Sequence, residues 1–316
     1  MATKVILDVD TGTDDAVALM LAALHPEIEL VGACSVAGNV PLEFTTENTL
    51  RVFDHLGKSV PVYQGLSKPI AREDFPVPRG APNPGTTNVH GDYLDIPAST
   101  STIQDTHAVE FLIETYRAAT EEIVLIPVGP LTNIAAALRV EPRLAEWVPR
   151  TIIMGGAHHT GNLTPRAEFN IWADPEAAHV VFHAGLRNVT LVPLDATHKA
   201  LVSRDDCAAL RALGTPAAEA TATFVERRIK GYDEGQPMSR AGAAPVHDAL
   251  CVAAVVQPEI ITTQDLYVTV ETHGEVTVGE TIIDVAGRSK RQPNMAVAFD
   301  ADERAFVRML LDTFAG

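Results

Sequence analysis

The chain is short of cations and cysteines, and it has no long apolar run. Against 41 Asp and Glu it carries 24 Lys and Arg, a formal net charge of −17. A surface so poor in positive charge repels phosphate backbones and anionic lipid, which argues against nucleic acid and membranes as partners. It favours a neutral or cationic small ligand, or a metal ion. No stretch reaches the ~18 apolar residues of a membrane span. The N-terminus lacks the basic-then-apolar order of a signal peptide, since "VILDVD" turns acidic at once. Cys34, Cys207 and Cys251 are scattered and odd in number, which predicts reduced thiols in core positions of a cytoplasmic protein. Repeats, coiled-coil heptads and separating linkers are also missing, so one domain over residues 1–316 is expected.

What is present is a rhythm of strand then helix. "VILDV" leads into "DDAVALMLAAL", "ELVGACSVAG" into "PLEFTTENTLRVFDHLG", and "EIVLIPVG" into "PLTNIAAALRV". "RTIIMGG", "DPEAAHVVFHAG" and "VTLVPLD" follow in the same order. The strands are almost continuously apolar, the mark of burial on both faces. The pattern predicts an α/β fold: an open, doubly wound, mostly parallel sheet with helices on both faces. "DLYVTVET", "ETIIDV" and "MAVAFD" predict a small antiparallel extension near the C-terminus, followed by a terminal helix "DERAFVRMLLDTF". Residues 66–100, rich in Pro, Gly, Asn and Thr, are expected to form a long surface excursion of the kind that often carries function. Residues 231–247 read as a mobile connection.

Asp8, Asp10, Asp14 and Asp15 crowd the junction between the first strand and the first helix. Ligands of open α/β sheets bind at the carboxyl ends of the strands. One aspartate there could cap the helix; four are better explained by a hard cation, whose oxygen ligands carboxylates supply. An EF-hand loop counted from Asp8 fails at Gly12 and Thr13. An Asp-x-Asp-x-Thr/Val phosphatase motif fails at the same Gly12. "DTGT" without a second copy in a β-rich chain is no aspartic protease.

"DVDTGTDDAVAL" resembles the N-terminal signature of the inosine-uridine nucleoside hydrolases, Asp-x-Asp-x-Gly-x-Asp-Asp-Ala. "SVAGNV", "PVGPLTNIA", "IIMGGAHHTGNLTPRAEFNIWADPEAA" and "PVHDAL" match further blocks of that family in the same order, over residues 4–254. The resemblance implies hydrolysis of the N-glycosidic bond of purine or pyrimidine ribonucleosides to ribose and free base, as in nucleoside salvage. It implies one calcium ion, held by the carboxylates of Asp10, Asp15 and Asp248 and by a backbone carbonyl at Val128, where the family usually has Thr. Asp10 would take a proton from a metal-activated water that attacks a sugar with oxocarbenium character. Asp14, Asn39, Asn162, Glu168 and Asn170 would bind ribose hydroxyls, which both donate and accept. Met154 and Phe169 would lie against the sugar. His247 would protonate the departing base, and His90 and Tyr232 resemble base-side contacts. A homodimer or homotetramer is implied as well.

Asp8 is left between a direct and a supporting role. His158 and His159 are additional to the family's pattern and are expected at the surface, Trp172 in the core. Two narrower readings remain beside the main one. The first is a base-selective nucleosidase. The second is a non-catalytic nucleoside or ribose binder, against which Asp10 and His247 speak, because binding sugar alone needs no general acid. A calcium-stabilised structural protein would leave Glu168, Asn170 and His247 unexplained.

Overall fold

The computed structural model describes residues 2–76 and 89–316. Its strands are β1 (Thr3–Val9), β2 (Ile28–Ser35), β3 (Val62–Gln64), β4 (Ile123–Pro127), β5 (Arg150–Met154) and β6 (Val189–Val192). They continue with β7 (Leu201–Ser203), β8 (Ala243–Pro245), β9 (Ile261–Leu266), β10 (Val268–Val270), β11 (Thr281–Ile283) and β12 (Met295–Ala301). Eight of them form one sheet in the order β3-β2-β1-β4-β5-β6-β12-β9, and β9 alone runs antiparallel to its neighbour. This is the mostly parallel sheet that the strand–helix rhythm predicts.

The alternation of side chains in β1 shows why both faces are apolar. Val5, Leu7 and Val9 join the core beneath the Thr13–Leu24 and His247–Val256 helices. Ile6 joins the opposite core, with Leu112, Ile134 and Phe182. Asp8 has the same parity as Ile6. There it meets Asn133 of the Thr132–Val140 helix, whose Nδ2 donates to Asp8 Oδ2 at 2.8 Å. Strand order reverses on either side of β1, with β2 on one edge and β4 on the other. A crevice opens at such a switch point, just beyond the strands' carboxyl ends. Asp10 follows β1, Val128 follows β4, and Met154 ends β5.

The small antiparallel extension is present and is continuous with the main sheet: β12 ("MAVAFD") pairs antiparallel with β9 and parallel with β6, where Val297 is fully buried. Two expectations need correction. "DLYVTVET" is not one strand; β9 pairs with β12, while β10 turns away to pair with β11. Residues 231–235 are no connection but the last turn of the Pro216–Gly235 helix. Phe224, Val225, Arg228, Ile229 and Tyr232 recur at helical spacing on its buried side, and that packing carries the helix through the polar "GYDEG". The excursion at 66–100 lies partly outside the described residues; its described parts contain no helix or strand. His158 is half-buried and His159 exposed, and Trp172 is buried against Phe75. Among the described residues no helix is long and apolar enough to cross a membrane.

Candidate active site

The turn between β1 and the Thr13–Leu24 helix is built by Asp15. Its Oδ1 accepts the backbone N–H of Asp10 at 3.1 Å and its Oδ2 that of Gly12 at 2.9 Å. One carboxylate thus satisfies the N–H of the helix N-cap and that of a residue in the turn before it. Asn39, from the loop after β2, closes the turn. Its backbone N–H donates to Asp10 Oδ2 at 2.7 Å, and its Nδ2 donates to Asp15 Oδ2 at 3.2 Å. Gly12 sits where it does for want of room: a Cβ there would collide with the His90 ring and lie 2.9 Å from Asn39 Nδ2. The same glycine that breaks the phosphatase and EF-hand patterns lets two site residues approach.

Oxygens of Asp14, Asp15 and Asp248 lie within 4.8 Å of one another, and all three residues are buried. Asp10 is not in that tight set but adjoins it, its backbone N–H donating to Asp15 Oδ1. Burial, followed by the neighbouring carboxylates, pushes Asp248 well above the ordinary carboxylate range. Burial and then Asp15 do the same to Asp10. Asp15 is pushed up to about 7 by burial and Asp14, despite its backbone donors. Asp14 Oδ1 lies 2.9 Å from Arg228 Nη1 and 3.8 Å from His90 Nδ1, yet accepts no aligned hydrogen bond. Buried carboxylates with an orphan oxygen and an all-oxygen donor set fit a hard divalent cation, which relieves their mutual repulsion.

A second group comes from β4, β5 and the short Phe169–Ala173 helix. Asn170 Nδ2 donates to the Val128 carbonyl at 2.6 Å and to the Met154 carbonyl at 3.3 Å. Glu168 caps the helix. Its Oε1 accepts from Asn170 N at 3.0 Å, and its Oε2 from Gly156 N at 2.9 Å and Ile171 N at 3.2 Å. Burial still pushes it up to about 7. Asn162 Oδ1 accepts from Phe169 N at 2.9 Å, and the Phe169 ring is half-buried against Phe75. Gly129, next to Val128, comes close enough to Asp10 that a Cβ would stand 2.8 Å from Asp10 Oδ1. The Val128 and aspartate groups are therefore neighbours.

The third group comes from the Pro216–Gly235 helix and the start of the His247–Val256 helix, which also carries Asp248. Tyr232 Oη lies 2.6 Å from His247 Nε2, and His247 Nδ1 lies 2.7 Å from Thr197 Oγ1. Burial, then Arg228, hold His247 well below the ordinary histidine range. Its ring is thus neutral, donating through one nitrogen and accepting through the other, and the hydroxyls of Tyr232 and Thr197 can serve either tautomer. His90 accepts the backbone N–H of Thr13 on Nδ1 at 3.2 Å and is lowered to about 4 by burial. The residues expected at the metal, the ribose and the base each fall in one of these three groups; Asp8, which meets Asn133, His158 and His159, which meet Asp195, and Trp172, which packs on Phe75, lie outside them.

Sequence reasoning missed Arg228, Asn133, Thr197 and His198. Arg228 lies within "ERRIK", which reads as a solvated charge run, but it is 2% exposed. Its signal was available: it precedes Tyr232 by four residues and so shares its helix face. Asn133 stood inside a quoted motif without a role. Nothing in the sequence around Thr197 and His198 marks them; only the turn after β6 brings them to His247, with the His198 and His247 ring centroids 5.6 Å apart.

The model of the inosine-uridine preferring nucleoside hydrolases matches residues 5–308. The chain belongs to this family. It is 39% identical over 307 residues to the pyrimidine-specific ribonucleoside hydrolase RihB of Escherichia coli O157:H7, covering 96% of this chain and 94% of that protein. A solved purine-preferring ribonucleoside hydrolase from Gardnerella vaginalis superposes with a TM-score of 0.88 at 33% identity, over 99% of this chain and 98% of that one. An inosine-guanosine nucleoside hydrolase superposes with a TM-score of 0.85 at 27% identity, over 99% of each chain. The chain is accordingly a ribonucleoside hydrolase.

The carboxylates of this hydrolase predict an unusual stability profile. Asp8, Asp15 and Glu168 are each pushed up to about 7, burial being the largest cause. In the unfolded chain they deprotonate near ~4. Between these values the folded, metal-free protein holds more protons than the unfolded chain, so stability falls as pH rises through the window. The Tm of chelator-treated protein is expected to drop from pH 5 to pH 8, and an added hard divalent cation to recover it at pH 8. A flat profile in the metal-free protein would contradict the buried, protonated cluster.

Proposed function

We propose that this hydrolase cleaves the N-glycosidic bond of ribonucleosides with a bound calcium ion, and that pyrimidine ribonucleosides are turned over faster than purine ones. The observation that carries the chemistry is the meeting of two buried groups: Asp14, Asp15 and Asp248 lie together, and Arg228 joins Asp14 at 2.9 Å to the ring of Tyr232, whose hydroxyl meets His247. Heterolysis of the bond leaves positive charge on the sugar and negative charge on the base, and the two groups suit those charges. The pyrimidine preference is motivated by the 39% identity to a pyrimidine-specific relative over 96% of the chain.

Asp15 and Asp248, with Asp10 and the Val128 carbonyl, would hold the calcium ion. When bound, such an ion supplies Lewis acidity toward water and sugar hydroxyls. Asp10 accepts the proton of the attacking water, beside which its place at the end of β1 would put it. Asp14, Asn39 and Asn170, with Asn162 and Glu168, orient the ribose, and Met154 and Phe169 exclude water from its faces. The Tyr232 hydroxyl gives its proton to the departing base and takes one from His247 Nε2–H, in the tautomer where the Thr197 hydroxyl donates to Nδ1; the ring regains a proton from solvent at Nδ1, and His90 stands beside them. The ring rests neutral, and the base's rising proton affinity draws the transfer as the bond breaks.

Steady-state rates on uridine, cytidine, inosine, adenosine and guanosine test the reading. Release of ribose is expected from all or most, with the highest kcat/KM on uridine or cytidine; inosine ahead of both would reverse the base assignment. The leaving-group role has a sharper test. His247→Ala is expected to lose ~10²-fold or more in kcat on uridine but little on p-nitrophenyl riboside, whose leaving group needs no proton. Equal losses on the two substrates would make His247 a shaping residue instead of a proton source.

A further inference from the structure

Arg228 is the largest fully buried side chain of the described residues, and neither the metal ligands nor the proton path uses it. Its Nε donates to the Pro245 carbonyl at 2.9 Å. Nη1 reaches Thr13 Oγ1 at 3.2 Å and Asp14 Oδ1 at 2.9 Å. A guanidinium has five N–H donors in a rigid fork. These contacts engage Nε and Nη1, and the two N–H groups of Nη2 have no partner among the described residues. The carbon of the guanidinium stands 5.6 Å from the centroid of the Tyr232 ring, whose hydroxyl meets His247. Arg228 therefore spans the site: one nitrogen is pinned to the sugar-side carboxylate, and the group as a whole lies beside the leaving-base side.

We propose that Arg228 is a catalytic residue that meets the departing base through Nη2 and stabilises the negative charge developing on it; this rests on the nucleoside hydrolase reading above. The bond from water oxygen to the anomeric carbon forms as the carbon–nitrogen bond breaks, and that bond's electron pair leaves with the base. The water's proton passes to Asp10, and the base takes up a proton by way of Tyr232 as the bond breaks, so Arg228 meets the partial negative charge that builds on the base before that transfer is complete. Nucleoside and water thus give ribose and base, with no net change at Arg228. A guanidinium keeps its charge at every working pH. Held rigidly, it needs no reorganisation as the charge appears, which is what makes a fixed donor effective. Its planar fork needs an acceptor, so a carbonyl oxygen or bare ring nitrogen of the base is the group it engages. The contact with Asp14 keeps the fork in place and separates the two opposite charges of the transition state.

The test uses the whole, calcium-loaded enzyme and uridines substituted at C5 by methyl, hydrogen or fluorine, which change the acidity of the leaving base and little of its shape. In Arg228→Gln, kcat/KM on uridine is expected to fall ~10²-fold, the effect of removing one fixed donor. The loss should grow as the base becomes less acidic, giving a steeper dependence on leaving-group acidity than in the unaltered enzyme. Arg228→Lys, which keeps the charge without the fork, should restore the shallow dependence and at least tenfold of the rate. An equal loss across the series, or no rescue by lysine, would overturn the proposal and leave Arg228 a structural partner of Asp14. A measurement on the unaltered enzyme is independent of how the variants fold. The 5-nitrouracil anion should inhibit at least tenfold better than neutral uracil, and equal inhibition would overturn the proposal as well. If the unaltered enzyme released ribose from no nucleoside, the functional reading would fail; release with an unchanged acidity dependence in Arg228→Gln would reject Arg228 alone.

Discussion

Replacing Asp10 by asparagine is expected to lower kcat on uridine and inosine by ~10²–10⁴-fold, the worth of a general base. The substitution is nearly isosteric, and an amide oxygen can still accept the Asn39 backbone N–H that reaches Asp10 Oδ2 at 2.7 Å. The fold should therefore survive, and the Tm of the metal-free variant at pH 8 should not fall, because a buried carboxylate is removed. Calcium affinity should weaken, since one anionic ligand becomes neutral. Kinetics, calorimetric calcium titration and a melting curve on one preparation separate these effects. Near-normal kcat on every nucleoside would refute the role of Asp10 as base.

The second large effect concerns the sugar. Asp14 is buried, and its Oδ1, though 2.9 Å from Arg228 Nη1, accepts no aligned hydrogen bond among the described residues. A ribose hydroxyl donating to it would remove that deficit. When a site built to bind a hydroxyl meets a substrate lacking it, the polar group stays unpaired, and discrimination reaches ~10⁴-fold. Loss of the 2′-hydroxyl also makes the glycosidic bond intrinsically easier to break, which opposes the effect. The binding loss should win, because the contact is charged and shielded from water. Uridine is expected to exceed 2′-deoxyuridine by about 10³-fold or more in kcat/KM at equal enzyme and calcium, and ribose to inhibit better than 2-deoxyribose. Comparable values for the two nucleosides would detach the aspartate cluster from sugar recognition.

Much of the site was legible because its residues sit where local rules place them. Asp10, Val128 and Met154 stand at the ends of apolar strands, and Asp14 and Asp15 open an apolar helix. Glu168 and Asn162 are legible for a different reason. They cap the Phe169–Ala173 helix, and the hydrogen bonds that hold Asn170 against Val128 depend on that cap. What the residues are bonded to was not legible. Asp8 could be placed inside a strand, but its partner Asn133 is 125 positions away.

The sequence by itself determined the parallel sheet, the position of the acidic turn and the membership of the hydrolase family. Each depends on residues close in the chain, where the period of apolar side chains and the chemistry of helix starts decide the conformation. Only the tertiary structure decided which charges meet. It sent β12 into the main sheet, because the free edge of β6 offered hydrogen bonds and two apolar faces to cover. It extended the Pro216–Gly235 helix through a polar segment, because Tyr232 gains burial and a hydroxyl partner on His247. By the same packing it brought Arg228 from a charged run to Asp14, 214 residues earlier in the chain. A buried guanidinium is stable only beside such a carboxylate. That pairing is set by how helices pack across the sheet, and no local pattern in either segment encodes it.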